Sequence, residues 1–245
     1  MSIAFYPLRF FCRSFFLAFA LVSSSCLSAI AGGVRITNYG HSALMIKGGG
    51  QSVLLNPFKA VGCAAGLKEP RLRANVILAS SELADEGARV ATGTFLVKPG
   101  SYRVDGLNIE GFTAPHDRFG GRRYGLATLW QWTQGGLNFA HLGGSVAPLT
   151  GEDKVLLGRP DVLIIAVGGG AKVYDGVEAA RVIKDLKPKR VIPVQYGRHK
   201  LATNCDQTGI QPFLDAMKGT QIRKVGKTLY LSNTLSEQTV INVMR

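Results

Sequence analysis

The sequence is poor in acidic residues. It contains 16 Asp and Glu against 29 Lys and Arg, which gives a formal net charge of +13. This balance favours anionic partners, such as a membrane surface, an acidic protein or a phosphorylated ligand. The basic residues are scattered, so a soluble cationic surface is the simpler interpretation. Because no basic run is interleaved with aromatic residues, we expect no nucleic acid partner.

Internal repeats and low-complexity tracts are also absent. This argues against a solenoid and against a long disordered linker. The 245 residues, of which 46% are hydrophobic, are enough for one large domain with a sizeable core. Many of the 30 glycines stand in pairs or triples between short apolar runs. Such clusters predict tight turns between strands.

The first 31 residues predict an export signal. Arg9 and Arg13 precede an uncharged run at 14–27. The small residues at 29–31 then provide a cleavage site before Gly32. We therefore expect an exported protein, located in a periplasm or a thylakoid lumen.

Two alternatives to cleavage remain. Residues 15–31 are nearly long enough to stay in the bilayer as an uncleaved anchor. Lipid attachment at Cys26 fits less well, because Ser23 stands where an apolar residue is normally required. Cleavage would leave a single domain at 32–245 with a net charge of +11, since the signal carries two arginines and no acid.

Cysteines are few. Of the four, Cys12 and Cys26 belong to the predicted signal, and Cys63 and Cys205 remain in the domain. An even count in an oxidising compartment favours a disulfide. The alternative is two small buried side chains.

The first half of the domain is rich in predicted strands and the second half alternates strands with helices. The predicted strands of the first half are 34–38, 43–46, 52–55, 75–79, 94–97, 101–104, 107–113, 126–133 and 137–141, the last two forming a hairpin. The second half predicts strands 161–167 and 190–194, helices 174–186 and 208–218, and a hairpin of 222–225 with 228–231. This order indicates two sheets with helices outside.

Three of the four remaining histidines stand at predicted strand ends. These are His41, His116 and His141, and each alone is typical of a hydrogen-bonded structural histidine. Together, on three separate elements, they suggest a metal or catalytic site on a rigid scaffold. His199 lies in a polar loop, and we expect it to be solvated surface.

The stretch ILASSELADE at 77–86 ends an apolar strand in serines and acids. Two interpretations are open. The strand end delivers carboxylates to a site, or Ser80 or Ser81 caps a following helix whose first turn carries Glu82, Asp85 and Glu86. We favour the helix cap.

Six segments, in order along the chain, resemble motifs of the metallo-β-lactamase-fold hydrolases. They are 38–43 (NYGHSA), 54–58 (LLNPF), 116–125 (HDRFGGRRYG), 140–144 (AHLGG), 167–169 (VGG) and 187–196 (KPKRVIPVQY). The resemblance is strongest to the lactonase-like branch related to ascorbate-6-phosphate lactonase, and to exported cyanobacterial members. It implies an α/β (α+β) fold, a four-layer αβ/βα sandwich of two mixed sheets with helices outside.

The resemblance also implies that most metal ligands have been replaced. The family's H-x-H-x-D-H motif falls on Ser81, Leu83, Asp85 and Glu86, so that only Asp85 matches. The positions of the bridging aspartate and of the last histidine hold Gly144 and Gln195, and the aspartate of the I-D-P-F motif is Asn56. Asn56 and His41 would support the site from outside its ligands.

Zinc in a catalytic site normally has three protein ligands. The residues left to hold a metal are Asp85, Glu86, His116 and His141, which are too few for a dinuclear centre. We therefore expect no tightly bound cofactor, with one weakly bound zinc or manganese ion as the alternative.

Three functions remain open. The favoured one is a non-catalytic binding or assembly protein with a small-molecule or protein ligand in its cleft. The second is a lactone or phosphoester hydrolase with an altered or mononuclear site, in which His116 with Asp117, or Glu86 with Asp85, acts as general base. The third is a protein held at an anionic membrane by its charge.

The family also places the loops after Phe58 and Tyr196 beside the cleft. A bridge between Cys63 and Cys205 would then border the former site, with their Cα atoms within about 7 Å.

Overall fold

The computed structural model describes residues 1–2, 32–198 and 203–245. Nearly all of the predicted signal, with Cys12 and Cys26, lies outside the described residues, as does His199. No helix within the described ranges is long and apolar enough to cross a membrane.

The described strands form two mixed sheets. The first sheet has the order β13-β1-β2-β3-β4-β5. Its strands are β1 (Gly33–Asn38), β2 (Leu44–Gly48), β3 (Gln51–Leu55), β4 (Arg73–Leu78), β5 (Thr92–Leu96) and β13 (Thr228–Ser232). β13, β1, β2 and β3 pair antiparallel, whereas β4 joins β3 and β5 in parallel.

The second sheet has the order β12-β14-β11-β10-β9-β8-β7-β6. Its strands are β6 (Gly100–Val104), β7 (Leu107–Pro115), β8 (Leu126–Gln134), β9 (Leu137–His141), β10 (Val162–Ala166), β11 (Arg190–Val194), β12 (Gln221–Val225) and β14 (Val240–Met244). β6, β7, β8 and β9 pair antiparallel. The parallel part of the sheet consists of β9, β10, β11, β14 and β12. The predicted arrangement of two mixed sheets is confirmed.

Local sequence explains much of this order. The turn between β2 and β3 uses Gly49 and Gly50, whose positive φ values of 59° and 77° suit residues without a Cβ. The VLIIA run of β10 is buried at every position, as expected of a parallel strand covered on both faces. The alternating pattern of β1 buries Val34 and Ile36 between the sheets.

The main core lies between the two sheets. It contains Trp130, Trp132 and Phe139 of the β8–β9 hairpin, and the rings of Trp132 and Phe139 stack with centroids 4.9 Å apart. The two sheets are therefore held face to face by a continuous apolar layer. This layer fixes the ends of the strands, and it therefore also fixes where the loops that follow them begin.

The described α-helices all follow residue 150. They are α1 (Gly151–Leu157), α2 (Gly176–Leu186) and α3 (Gln211–Ala216). Asp175 caps α2 by accepting hydrogen bonds from the Val177 and Glu178 amides. The apolar face of α2, including Ala180 and Ile183, packs on the outer face of the second sheet.

The predicted hairpin near the C-terminus is wrong. β12 pairs with β14 in the second sheet, whereas β13 pairs with β1 in the first. The chain crosses between the sheets at Gly226, and each strand then finds its partner in a different layer. Neighbours in sequence predict a hairpin only when both strands belong to one sheet.

The predicted helix after Ser80 and Ser81 is also wrong. Residues 81–91 form turns and irregular backbone. Ser81 Oγ accepts a hydrogen bond from the Leu83 amide, as in a capped turn, but it also donates to buried Glu86. The inward position of Glu86 stops the segment from continuing as an exposed helix.

Candidate functional site

The candidate site lies where the ends of both sheets meet. The loop after β4 brings Glu86, and the loop after β7 begins with His116. β9 ends at His141, and Gln195 follows β11. Because these strands are fixed by the core, the four side chains are held in a small buried cluster.

Glu86 is at the centre of this cluster and is fully buried. Its Oε1 lies 2.5 Å from His116 Nε2 and accepts a 2.8 Å hydrogen bond from Ser81 Oγ. Its Oε2 accepts a 3.0 Å hydrogen bond from Gln195 Nε2. The contact with His116 is an ion pair rather than a well-aligned hydrogen bond, because the ring N–H does not point at the oxygen.

Each of the two groups favours the charged form of the other. Burial raises the pKa of Glu86, but the stronger combined effect of His116, Lys172 and Ser81 brings it down to about 2. Burial lowers the pKa of His116, whereas Glu86 raises it further, so that it lies above its ordinary value. The pair is therefore an imidazolium and a carboxylate, both removed from water.

Gly144 is required by this pair. A Cβ at Gly144 would lie 2.5 Å from both Glu86 Oε1 and His116 Nε2, which is closer than real Cβ contacts. An aspartate side chain at this position cannot fit while Glu86 points inward. The Glu86 carboxylate thus fills the space that an aspartate side chain would need.

Asp85 has a partner of its own. Its Oδ2 accepts a 2.6 Å hydrogen bond from Lys172 Nζ, and both side chains are largely buried. Burial lowers the pKa of Lys172, but Glu86 and Asp85 raise it further. A lysine ammonium thus balances the charge of this carboxylate.

His141 lies on the other side of the cluster and is neutral. Burial lowers its pKa to about 4, in spite of the nearby charge of Glu86. Its Nε2 is 3.4 Å from Ser80 Oγ. Asn56 holds Ser80 through its Oδ1, which accepts from the Ser80 amide at 2.8 Å.

His41 and Gln195 form the upper edge of the site. Their Nε2 atoms are 3.4 Å apart, and the Gln195 amide donates to the His41 carbonyl. Burial lowers the pKa of His41. Both residues have φ near +50°, in the left-handed region of backbone conformation that residues other than glycine seldom adopt.

The carboxylate of Asp117 accepts hydrogen bonds from the loop in which it lies. Its two oxygens accept hydrogen bonds from four backbone amides, listed here in chain order: Phe119, Gly121, Arg123 and Tyr124. Burial raises the pKa of Asp117, but these amides lower it below its ordinary value. Asp117 therefore shapes the 117–125 turn and does not orient the ring of His116.

Cys63 and Cys205 form a disulfide, with Cα atoms 4.7 Å apart. This confirms the predicted bridge. It joins the loop after β3 to the loop that precedes α3, and it borders the cleft.

The residues present do not fit a metal ion. Throughout residues 32–198 and 203–245, no three His, Cys, Asp or Glu side chains are arranged to hold one. Glu86 and His116 face each other, and Asp85 faces Lys172. Leu83, where the resemblance predicts a lost metal ligand, is half-buried and has no donor atom in its side chain.

Comparison with known proteins identifies the family. Residues 35–195 match the family described as the beta-lactamase superfamily domain. This is more than half of the chain, and the chain belongs to this superfamily. The curated proteins contain no match.

Solved structures show the same fold. A metallo-β-lactamase superfamily protein from Thermotoga maritima aligns with a TM-score of 0.68 at 23% identity, over 86% of this chain and 100% of its own. The isothiocyanate hydrolase from Delia radicum gut bacteria aligns at 0.57 and 14%, over 75% and 92%. YhfI from Bacillus subtilis aligns at 0.56 and 10%, over 86% and 96%.

Sequence reasoning missed Lys172. It follows the glycine loop at 168–170, which leaves the carboxyl end of β10 beside the site. A lysine just after a loop that borders the site indicates a cation that could pair with a carboxylate of the site. The motif alone does not show that this lysine turns toward Asp85.

Proposed function

We propose that this protein is a non-catalytic member of the superfamily that acts as a binding or assembly protein in an exported compartment. The observation that carries the proposal is the buried Glu86–His116 pair. It takes up the space and the donor atoms that a hydrolytic metal centre needs. Without a metal, the site cannot generate a metal-bound hydroxide for hydrolysis.

The site is also balanced in charge without a ligand. The carboxylates of Glu86 and Asp85 are opposed by protonated His116 and by Lys172. A cationic metal added to this cluster would meet the charges of the imidazolium and the ammonium. This argues against even a single weakly bound zinc or manganese ion.

The test is the metal content of the purified protein. We expect less than about a tenth of an equivalent of zinc or manganese per protein chain by elemental analysis after growth with both metals. As a matched control, a variant that restores the family ligands carries Ser81→His, Leu83→His, Glu86→His, Gly144→Asp and Gln195→His. It is expected to gain metal. Near one equivalent in the wild-type protein would overturn the proposal.

Hydrolysis by a mononuclear or metal-free site is the alternative. Family membership supports it, and one structural relative is named an isothiocyanate hydrolase. A panel of lactones, phosphoesters and isothiocyanates distinguishes the two. Turnover that disappears in His116→Ala supports the hydrolase, whereas a silent panel supports the non-catalytic role.

Export and the lactonase-like branch are part of the same proposal. The Cys63–Cys205 bridge supports an oxidising compartment. N-terminal sequencing of the protein from its native cells tests export, and a mature chain starting at Gly32 is the expected result. An intact N-terminus recovered from a reducing compartment would contradict it.

A further inference from the structure

A second charged concavity lies on the flank of the cleft, and we call it the flank pocket. It has a volume of about 230 Å³ and is lined chiefly by Tyr39, Cys63, Leu67, Tyr196, Arg198 and Lys227. It forms where the carboxyl ends of β1 and β11, one from each sheet, come together. His41 and Arg245 also line it.

The charged side chains that line it are all positive. No described acidic side chain lines the pocket, and neither Arg198 nor Lys227 makes an ion pair with a described carboxylate. Asp206, which lies beside the disulfide, accepts a hydrogen bond from the Ala171 amide and does not line the pocket. The cations therefore remain available to a ligand.

Both cations are held in place by aromatic rings. The guanidinium carbon of Arg198 lies 4.7 Å from the ring centroid of Tyr196, and Nη2 donates to the Tyr196 hydroxyl at 2.8 Å. Lys227 Nζ lies 4.9 Å from the ring centroid of Tyr39. Contacts of this kind position a cation without neutralising its charge.

The remaining wall is apolar and covalently fixed. Leu67 is half-buried beneath the turn at Gly40, and Cys63 is tied by its disulfide to the loop before α3. A small concave site with an apolar wall and a few convergent polar groups is typical of a small-molecule site.

We propose that the flank pocket binds a small organic anion, whose carboxylate or phosphate head meets Arg198 and Lys227 while its apolar body packs against Leu67 and the tyrosine rings. The inference rests on the proposed binding role and names its ligand class. It needs no contact with Glu86 or His116.

The experiment is calorimetric titration of the oxidised protein with benzoate, phenyl phosphate and neutral benzyl alcohol. We expect saturable binding of at least one anion and none of the alcohol. Arg198→Gln and Lys227→Gln should each weaken anion binding by about tenfold or more, since each removes a charged hydrogen-bond donor. Lys47→Gln, an exposed lysine of β2 away from the pocket, is the matched control and should bind as the wild type.

Equal affinity for benzoate and benzyl alcohol would overturn the inference. The same holds if neither anion saturates at millimolar concentration, or if Lys47→Gln weakens binding as much as Lys227→Gln. Metal content is measured on the same sample to separate the two proposals. Metal-free protein without anion binding overturns only the pocket, whereas anion binding by metal-loaded protein overturns only the non-catalytic role.

Discussion

The buried cluster around Glu86 and the flank pocket both carry charge, but only the cluster balances it internally. Glu86 and Asp85 each face a cation from another part of the chain. Arg198 and Lys227 face tyrosine rings and an open concavity. Charge that is balanced in the folded chain needs no ligand, and the loss of one partner leaves a buried charge uncompensated, whereas unbalanced charge is free to bind a ligand.

The largest expected effect concerns the buried pair. Glu86→Ala leaves the His116 imidazolium without its partner and should lower the free energy of unfolding by roughly 3–5 kcal/mol. Urea denaturation of the purified variant measures this. Glu82→Ala is the matched control in the same loop, because Glu82 is exposed and makes only a 3.7 Å contact with Lys98. A Glu86→Ala variant as stable as the control would contradict the internally balanced cluster.

Removal of the disulfide should have the second largest effect on the free energy of unfolding. The Cys63→Ala/Cys205→Ala variant is expected to lose about 2–4 kcal/mol, because the open chain gains conformational entropy when it unfolds. Denaturation of the wild type under reducing conditions should give the same midpoint. The bond lies beside the flank pocket, so the double variant should also bind benzoate more weakly. Unchanged stability and unchanged binding would show that the bridge does not shape the pocket.

Gly144 offers a smaller and sharper test. Gly144→Ala places a methyl group against Glu86 and His116 and should cost about 1–3 kcal/mol from overpacking. The cost should shrink in the Glu86→Ala background, because the clash with the carboxylate is gone. Gly151→Ala is the control, since a Cβ there meets nothing within 4 Å. Strictly additive effects of the two substitutions would contradict the shared space.

The smallest effect near neutral pH concerns the histidines. In NMR titrations, His116 should titrate above its ordinary pKa of about 6.5, whereas His141 should titrate with a pKa of about 4, because its ring is buried. His116→Gln and His141→Gln variants assign the signals. If both rings titrate near 6.5, the two environments are alike and the proposed cluster is incorrect.

These shifts have opposite consequences for stability. His116 stabilises the fold fully below about pH 6.5, and this contribution is lost as the pH rises through its raised folded pKa. His141 opposes folding as the pH falls from about 6.5 toward 4, because the unfolded chain takes up a proton that the buried ring does not.

The six motif segments predicted the two-sheet fold because glycines, prolines and buried strands carry information at short range. The β8–β9 hairpin, predicted at 126–133 and 137–141, matches the structure for the same reason. The hairpin of 222–225 with 228–231 was wrong, since the sheet that a strand joins depends on distant partners. The local sequence pattern does not show which sheet a strand joins.

The site was predicted less completely. The resemblance predicted which metal ligands are replaced, and this stays a prediction; it did not predict what the residues at those positions contact. The acids after Ser81 fit a helix cap by local rules, and only His116, thirty positions after Glu86, explains why the segment turns inward. Lys172 and the flank pocket depend on contacts between loops that the sequence separates by scores of residues.

The contact between Glu86 and Gly144 constrains how the sequence can change. An aspartate introduced alone at 144 meets the carboxylate of Glu86. A side chain at 144 therefore fits only after Glu86 has been replaced or turned away. Positions 86 and 144 are therefore expected to covary among related sequences, with glycine at 144 wherever an inward-pointing glutamate stands at 86.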